Sequence, residues 1–120
     1  HAKMVQALRN VIDNAVRHSP RGSTVRVTVR SRSEDGHRAV EMEVRDAGPG
    51  FAAEDLDRLF QPFFTRRPGG TGLGLSIVKR IVEGHDGQVL ASNRREGGAV
   101  VIVRLPEVER SVAAAPDARV

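Results

Sequence analysis

Apolar residues recur at Val5, Leu8, Ile12, Ala15 and Val16, the three- and four-residue spacing of a helix with one buried face. Ser19-Pro20-Arg21-Gly22 stops that helix. The period then changes to two. Val25, Val27 and Val29 point one way while Arg26, Thr28 and Arg30 point the other, which predicts a half-buried strand. Ser33-Glu34-Asp35-Gly36 reads as a hairpin turn, with residues 39–44 as the partner strand. Asp46-Ala47-Gly48-Pro49-Gly50 is a tight loop, and residues 53–59 read as a short acidic helix. Residues 61–71 are too rich in Phe, Pro and Gly for either element. Leu75, Ile77, Val78, Ile81 and Val82 restore a helical period over residues 73–82. Residues 88–92 and 100–105 predict a closing hairpin around Arg94-Arg95-Glu96-Gly97-Gly98, ended by Pro106.

This order (helix, two strands, short helix, loop, helix, two strands) predicts an α/β sandwich of the α+β kind. Its sheet is expected to be mostly antiparallel or mixed, with helices on one face. One domain over residues 1–106 fits the length, and residues 107–120, with Ala113-Ala114-Ala115-Pro116, read as a disordered tail. The chain opens on His1, without an initiator Met and directly in a helix. It is expected to be a piece of a longer protein, with a strand preceding it there.

Composition narrows the chemistry. There are no cysteines, which excludes disulfides and thiolate metal sites and fits a reducing compartment. No apolar run reaches the length of a membrane span, and no apolar segment at the start resembles a signal peptide. The expectation is a cytoplasmic piece without membrane contact of its own. Lys and Arg number 19 against 15 Asp and Glu. The basic residues are scattered, Tyr and Trp are absent and only 4 Phe could stack on bases, so a nucleic-acid surface is not expected.

Three clusters carry candidate chemistry. Asn10 and Asn14 are one helical turn apart, with Arg17 and His18 a turn further, so they form a polar stripe beside the apolar face. Carboxamide oxygens can ligate a hard cation such as Mg²⁺; an ordinary solvated face is the alternative. Asp46 follows a strand and leads into Gly48 and Gly50. It could accept from an exocyclic amine while the glycines admit a ligand; a plain turn is the alternative. Gly69-Gly70-Thr71-Gly72-Leu73-Gly74-Leu75 leads into a helix whose free N–H groups and dipole favour an anion; a flexible hinge is the alternative. A P-loop is excluded because no Gly-Lys-Ser/Thr occurs, and the dinucleotide pattern fails because Leu75 or Ile77 stands where its last glycine belongs.

The order of these pieces resembles the catalytic, ATP-binding domain of sensor histidine kinases. The segment from Asn10 through Asn14 to His18 resembles their N box, Asp46 to Phe51 their first glycine box, Leu59 to Thr65 their F box, and Gly70 to Leu75 their second glycine box. The resemblance covers about residues 2–106. It implies the Bergerat-type ATP fold, a mixed sheet with helices on one face. It implies ATP and Mg²⁺ as cofactors, with Asp46 accepting from adenine N6 and Asn10 and Asn14 holding Mg²⁺. Arg17 would contact phosphate, His18 would pack near the adenine, and Gly48, Gly50 and Phe51 would line the base. Gly70, Thr71, Gly72, Leu73, Gly74 and Leu75 would cap the phosphates, and Phe60, Phe63 and Phe64 would anchor the lid on the core. The lid itself, Thr65-Arg66-Arg67-Pro68-Gly69, is short, like that of the subgroup resembling nitrogen-regulation sensor kinases, and Thr65, Arg66 or Arg67 would then reach the phosphates.

The resemblance also implies a function. The chain would bind Mg-ATP and supply the γ-phosphoryl group to a histidine on a separate dimerisation (histidine-phosphotransfer) domain, upstream of a response regulator. The acceptor is not expected here, because none of His1, His18, His37 and His85 combines the acidic neighbour with the helical context of a phosphoacceptor. The piece is expected to be monomeric and the full-length protein a homodimer, with membrane anchoring left open. Related ATPases and anti-sigma-factor-type serine kinases resemble one another in carrying Glu where this chain has Asn10. Asn cannot take a proton, whereas a neutral imidazole is nucleophilic without a base. An anti-sigma-type serine kinase and a non-catalytic nucleotide-sensing module of the same fold are the alternatives. Gly84-His85-Asp86-Gly87, where the family often has His-Gly-Gly, reads as a helix C-cap and turn.

Overall fold

A computed structural model describes residues 2–64 and 74–107. The first helix, α1, runs from Ala2 to His18. Two strands follow, β1 (Arg26–Glu34) and β2 (His37–Arg45), then a 3-10 turn at Ala53–Asp55. Helix α2 (Gly74–Gly84) leads into β3 (Gln88–Asn93) and β4 (Ala99–Pro106).

The strands form one sheet in the order β1-β2-β4-β3. Every pairing among the described residues is antiparallel, with Val44 opposite Val101 and Met42 opposite Val103. The expected mixed sheet is therefore an antiparallel one over these residues. Both helices lie on one face, and the core forms where Ala7, Val11 and Ala15 of α1 and Leu75, Val78 and Val82 of α2 meet Met42, Val44, Val101 and Val103. Burying about a dozen apolar side chains at ~1.5–3 kcal/mol each is what the conformational entropy of the chain must be set against.

Local rules account for the connections. The β1–β2 turn places Asp35 at φ 52° and Gly36 at φ 79°. That is the left-handed pair a two-residue hairpin needs. At the end of α2, Gly87 N–H donates to Val82 O at 2.9 Å and Asp86 N–H to Glu83 O at 3.0 Å, the two bonds of a Schellman cap. The left-handed residue of that cap is Asp86, at φ 63°, rather than a glycine.

Three expectations are corrected. The buried stripe of α1 is Ala7, Val11 and Ala15, while Val5 and Val16 are 53% and 55% exposed. β1 is not half-buried. Val27 and Val29 face the same side as Val44 and Met42, yet β1 is the sheet edge, neither helix makes more than a marginal contact with it among the described residues, and they stay 43% and 63% exposed. Residues 53–59 do not make an α-helix. Leu56 N–H donates to Ala53 O and Arg58 N–H to Asp55 O, a chain of three-residue turns. The segment is too short to nucleate an α-helix alone, and turns suffice to bury Leu59 and to pack Leu56 and Phe60 on the core.

Candidate functional site

Asp46 is the first residue beyond β2, and it is 4% exposed. Its Oδ1 accepts two backbone N–H groups, from Gly48 at 2.9 Å and from Ala99 at 3.0 Å. Its own N–H donates to Ala99 O at 2.9 Å. Its carbonyl oxygen accepts from Arg94 Nη1 at 3.2 Å. The carboxylate is thus fixed through one oxygen, and among the described residues Oδ2 has no hydrogen bond; it faces His18 Nδ1 at 3.7 Å.

Glycine makes this packing possible in a way the sequence does not announce. A Cβ on Gly48 would stand 2.2 Å from His18 O, so that glycine admits the end of α1 rather than a ligand. A Cβ on Gly98, which sits at φ +85°, would stand 2.2 Å from Asp46 O. Gly50 has the positive φ expected of the loop, 82°. Phe51 follows it, and its ring lies 4.8 Å from that of His18, tilted by 33°.

Sequence reasoning missed the side chains that hold this loop. Asn93, at the end of β3, pairs with the Phe51 backbone twice, accepting from Phe51 N–H at 2.7 Å and donating to Phe51 O at 2.7 Å. Ser19 Oγ donates to Ala15 O at 2.9 Å and accepts from Ala47 N–H at 3.2 Å, joining α1 to the loop. In the sequence Ser19 marks a helix stop and the end of the N-box segment without showing this link, and Asn93 carries no local signal.

The second half of the site lies further back along α1. Asn10, Asp13, Asn14 and Arg17 line a cleft of about 100 Å³ together with Gly74, the first residue of α2. The first residue of α2 therefore borders the polar stripe of α1, and a helix start with free N–H groups beside such a stripe can take an anion. Asp13 is the member that sequence reading left out, although its spacing from Asn10 and Arg17 places it on the same face. The oxygen donors here are two carboxamides and one carboxylate, a set that suits a hard divalent cation. Among the described residues no cluster of three His, Cys, Asp or Glu could hold a metal unaided.

α1 sets the spacing of the two halves. His18 is one turn past Asn14 and two past Asn10, so about 6 and 12 Å separate them along the axis. An extended ligand could place a hydrogen-bond donor at Asp46 and its charged end beside Asn10, Asn14 and Arg17. Leu75 packs in the core, which leaves its backbone rather than its side chain to meet an anion. Thr65, Arg66, Arg67, Gly70, Thr71, Gly72 and Leu73 lie outside the described residues. Phe60 and Phe64 pack on the core as expected, but Phe63 is 74% exposed and does not.

The open face of the sheet carries a separate polar network. Glu41, 4% exposed, accepts from Arg104 Nη2 at 2.7 Å and Nε at 3.0 Å, and from Arg32 Nη1 at 3.3 Å. The Arg104 hydrogen bonds, aided by the Arg32 and Arg104 charges, hold its carboxyl below the usual carboxylate range although burial pushes the other way. This network lies on the face away from the helices and is structural in character.

Comparison with known proteins gives the family and the fold. The model of the family described as histidine kinase-, DNA gyrase B-, and HSP90-like ATPase matches residues 1–109. The sensor-like histidine kinase SenX3 of Mycobacterium tuberculosis is 38% identical over 109 residues, which is 86% of this chain and 26% of that protein. The chain therefore spans about a quarter of that relative. The mycobacterial sensor histidine kinase MprB superposes with a TM-score of 0.73 at 33% identity, covering 88% of this chain and 72% of that one. Full-length ShkA in complex with AMPPNP superposes with a TM-score of 0.69 at 31% identity, covering 87% and 21%. The likeness to nitrogen-regulation kinases rests on residues 65–69 and stays a reading of the sequence. Among the described residues, no helix is long and apolar enough to cross a membrane.

Proposed function

Because the chain belongs to the histidine kinase-, DNA gyrase B-, and HSP90-like ATPase family, we propose that it binds Mg-ATP and presents the γ-phosphoryl group to a histidine on a separate dimerisation domain. The observation that carries this reading is Asp46: a buried carboxylate locked through Oδ1 by Gly48 and Ala99 N–H, with Oδ2 left to accept. An amine donor matches that acceptor. Guanine would set a carbonyl oxygen against it and be rejected. The solution of ShkA with AMPPNP supports the same nucleotide class.

In this reading the adjoining Phe51 and His18 rings line the base on one side, and Asn93 fixes Phe51. Arg17 and the N-terminus of α2 meet the phosphates. Asn10 and Asn14, with Asp13, would supply oxygens for Mg²⁺, which when bound would offset phosphate charge. The resemblance adds Arg66, Arg67 and residues 70–73 as the groups that would meet the phosphates. Asn10 offers no base to activate water, so the residues position the phosphoryl group for an imidazole nitrogen that needs none. The P–N bond forms as the β–γ bridging P–O bond breaks, and ADP leaves. The acceptor histidine belongs to the dimerisation domain of a longer, homodimeric sensor kinase acting on a response regulator.

Calorimetric titration tests this. Adenine-selective binding that depends on Mg²⁺ and is weakened about ten- to hundredfold on Asp46→Asn is expected, followed by phosphorylation of an added dimerisation domain on histidine. Equal affinity for ATP and GTP, or an unaffected Asp46→Asn variant, would overturn the reading.

A further inference from the structure

His18 Nδ1 is buried and has no hydrogen-bond partner. An unsatisfied buried ring nitrogen is costly, about 1–3 kcal/mol, and calls for an explanation. The atom facing it is Asp46 Oδ2, 3.7 Å away. Nδ1 is closed off from solvent, which leaves Asp46 Oδ2 as the group it can pair with. If Nδ1 carried a lone pair, two acceptors would face each other in a buried place. If it carries the hydrogen, the pair needs only a small approach to close a charge-assisted bond.

Three contacts constrain His18, one on the ring and two on the backbone that carries it. Phe51 covers one face. The His18 carbonyl is pressed against Gly48 where a Cβ would find backbone at 2.2 Å. Ser19 ties the end of α1 to Ala47. Around the carboxylate, Gly48 and Ala99 donate to Oδ1. Arg94 donates to the Asp46 carbonyl oxygen and pairs with Glu96, and is therefore no competitor for Oδ2.

We infer that His18 is a positioning residue for nucleotide recognition: in the Nδ1–H tautomer it donates to Asp46 Oδ2 and orients that oxygen's remaining lone pair for the adenine amine. The inference rests on the reading of Asp46 as the adenine acceptor, and it goes beyond packing of His18 against the base. A ring that merely stacks would serve equally in either tautomer, and any aromatic would replace it. A ring that acts through Asp46 would not be so replaced.

Two experiments on the 120-residue chain decide the matter. The first is long-range ¹H–¹⁵N NMR of the imidazoles at a pH where His18 is neutral, without nucleotide. The Nδ1–H tautomer is expected for His18; the Nε2–H tautomer, which prevails for free histidine, would overturn the inference and leave the function of Asp46 untouched. The second is a double-mutant cycle on ATP affinity. His18→Phe is expected to weaken ATP binding about five- to tenfold in the parent chain, on the scale of a lost charge-assisted bond. In the Asp46→Asn background the same change is expected to matter less than about twofold. An equal loss in both backgrounds would mean stacking alone and would overturn the inference. An Asp46→Asn variant that binds like the parent chain would instead overturn the proposed adenine contact, on which the inference depends.

Discussion

Asp46 and Ala99 extend the β2–β4 ladder by one rung beyond its last pair, Arg45 and Val100, with a side chain in place of the main chain: Asp46 N–H donates to Ala99 O at 2.9 Å, and Ala99 N–H returns to Asp46 Oδ1 at 3.0 Å. The carboxylate is therefore both a structural acceptor and a recognition group, and the two roles fall on different oxygens. They separate by mutation. Asp46→Asn keeps a carbonyl oxygen for Gly48 and Ala99, so the melting temperature should fall little. It puts an amide donor toward the adenine amine, so ATP affinity should fall by about 1.5–3 kcal/mol. Asp46→Ala strands both N–H groups and should also destabilise the fold by about 1–3 kcal/mol. Thermal melts beside calorimetry distinguish the two; an Asn variant that melts like the Ala variant would contradict the division of labour.

Gly98→Ala should be severe. Its Cβ would meet the Asp46 carbonyl oxygen at 2.2 Å, and the residue already sits at φ +85°. Main chain cannot swing aside as a side-chain tip does, so a loss of more than about 2 kcal/mol is expected. Gly84→Ala is the control. It lies at the end of α2 with nothing within 4 Å of its Cβ, and it should be neutral or stabilise by a few tenths to about 1 kcal/mol. Urea denaturation of both variants checks the contrast.

These two glycines show where the sequence was readable. The polar stripe of α1 was legible because a helix fixes its own geometry, so Asn10, Asn14 and Arg17 had to share a face. Asp46 was legible through its place between a strand and Gly48. The clamp on Phe51 was not, because Asn93 lies 42 residues away along the chain and only the sheet brings it there. Gly98 read as an ordinary hairpin glycine for the same reason. The exposure of Val27 and Val29 was hidden too, since alternation states which side a residue faces and not whether anything covers that side.

Acid should unfold the chain partly through Glu41. Its carboxyl is held below the usual range by Arg104 first and then Arg32. A depressed folded-state value means the stabilisation is fully present above the unfolded-state glutamate value of about 4.3 and is lost as pH falls through the folded one. Glu41→Gln should cost about 1–3 kcal/mol at neutral pH. That is less than the ~3–5 kcal/mol of a fully buried pair, because the Arg32 side chain is 50% exposed and that of Arg104 34%, so both cations can turn to water. Melting temperatures of the two chains should converge as pH falls below about 4. A difference that stays constant with pH would show that shape rather than charge is what Glu41 contributes.

The cation at the other end of the site should depend on the nucleotide. Asn10, Asn14 and Asp13 offer two neutral oxygens and one exposed carboxylate, and among the described residues no acidic or His cluster adds to them. Mg²⁺ sheds its water reluctantly and is usually held by one or two protein groups together with substrate phosphates. Titrating Mg²⁺ alone should therefore give no resolvable heat, while Mg²⁺ should raise ATP affinity and do little for adenosine, which has no phosphates. Asn14→Ala should remove most of that Mg²⁺-dependent gain and leave Mg²⁺-free binding nearly unchanged, because the base end is held from Asp46, about 6 Å further along the helix axis at His18. Tight Mg²⁺ binding to the bare chain, or an Asn14→Ala variant with its Mg²⁺ response intact, would place the cation elsewhere.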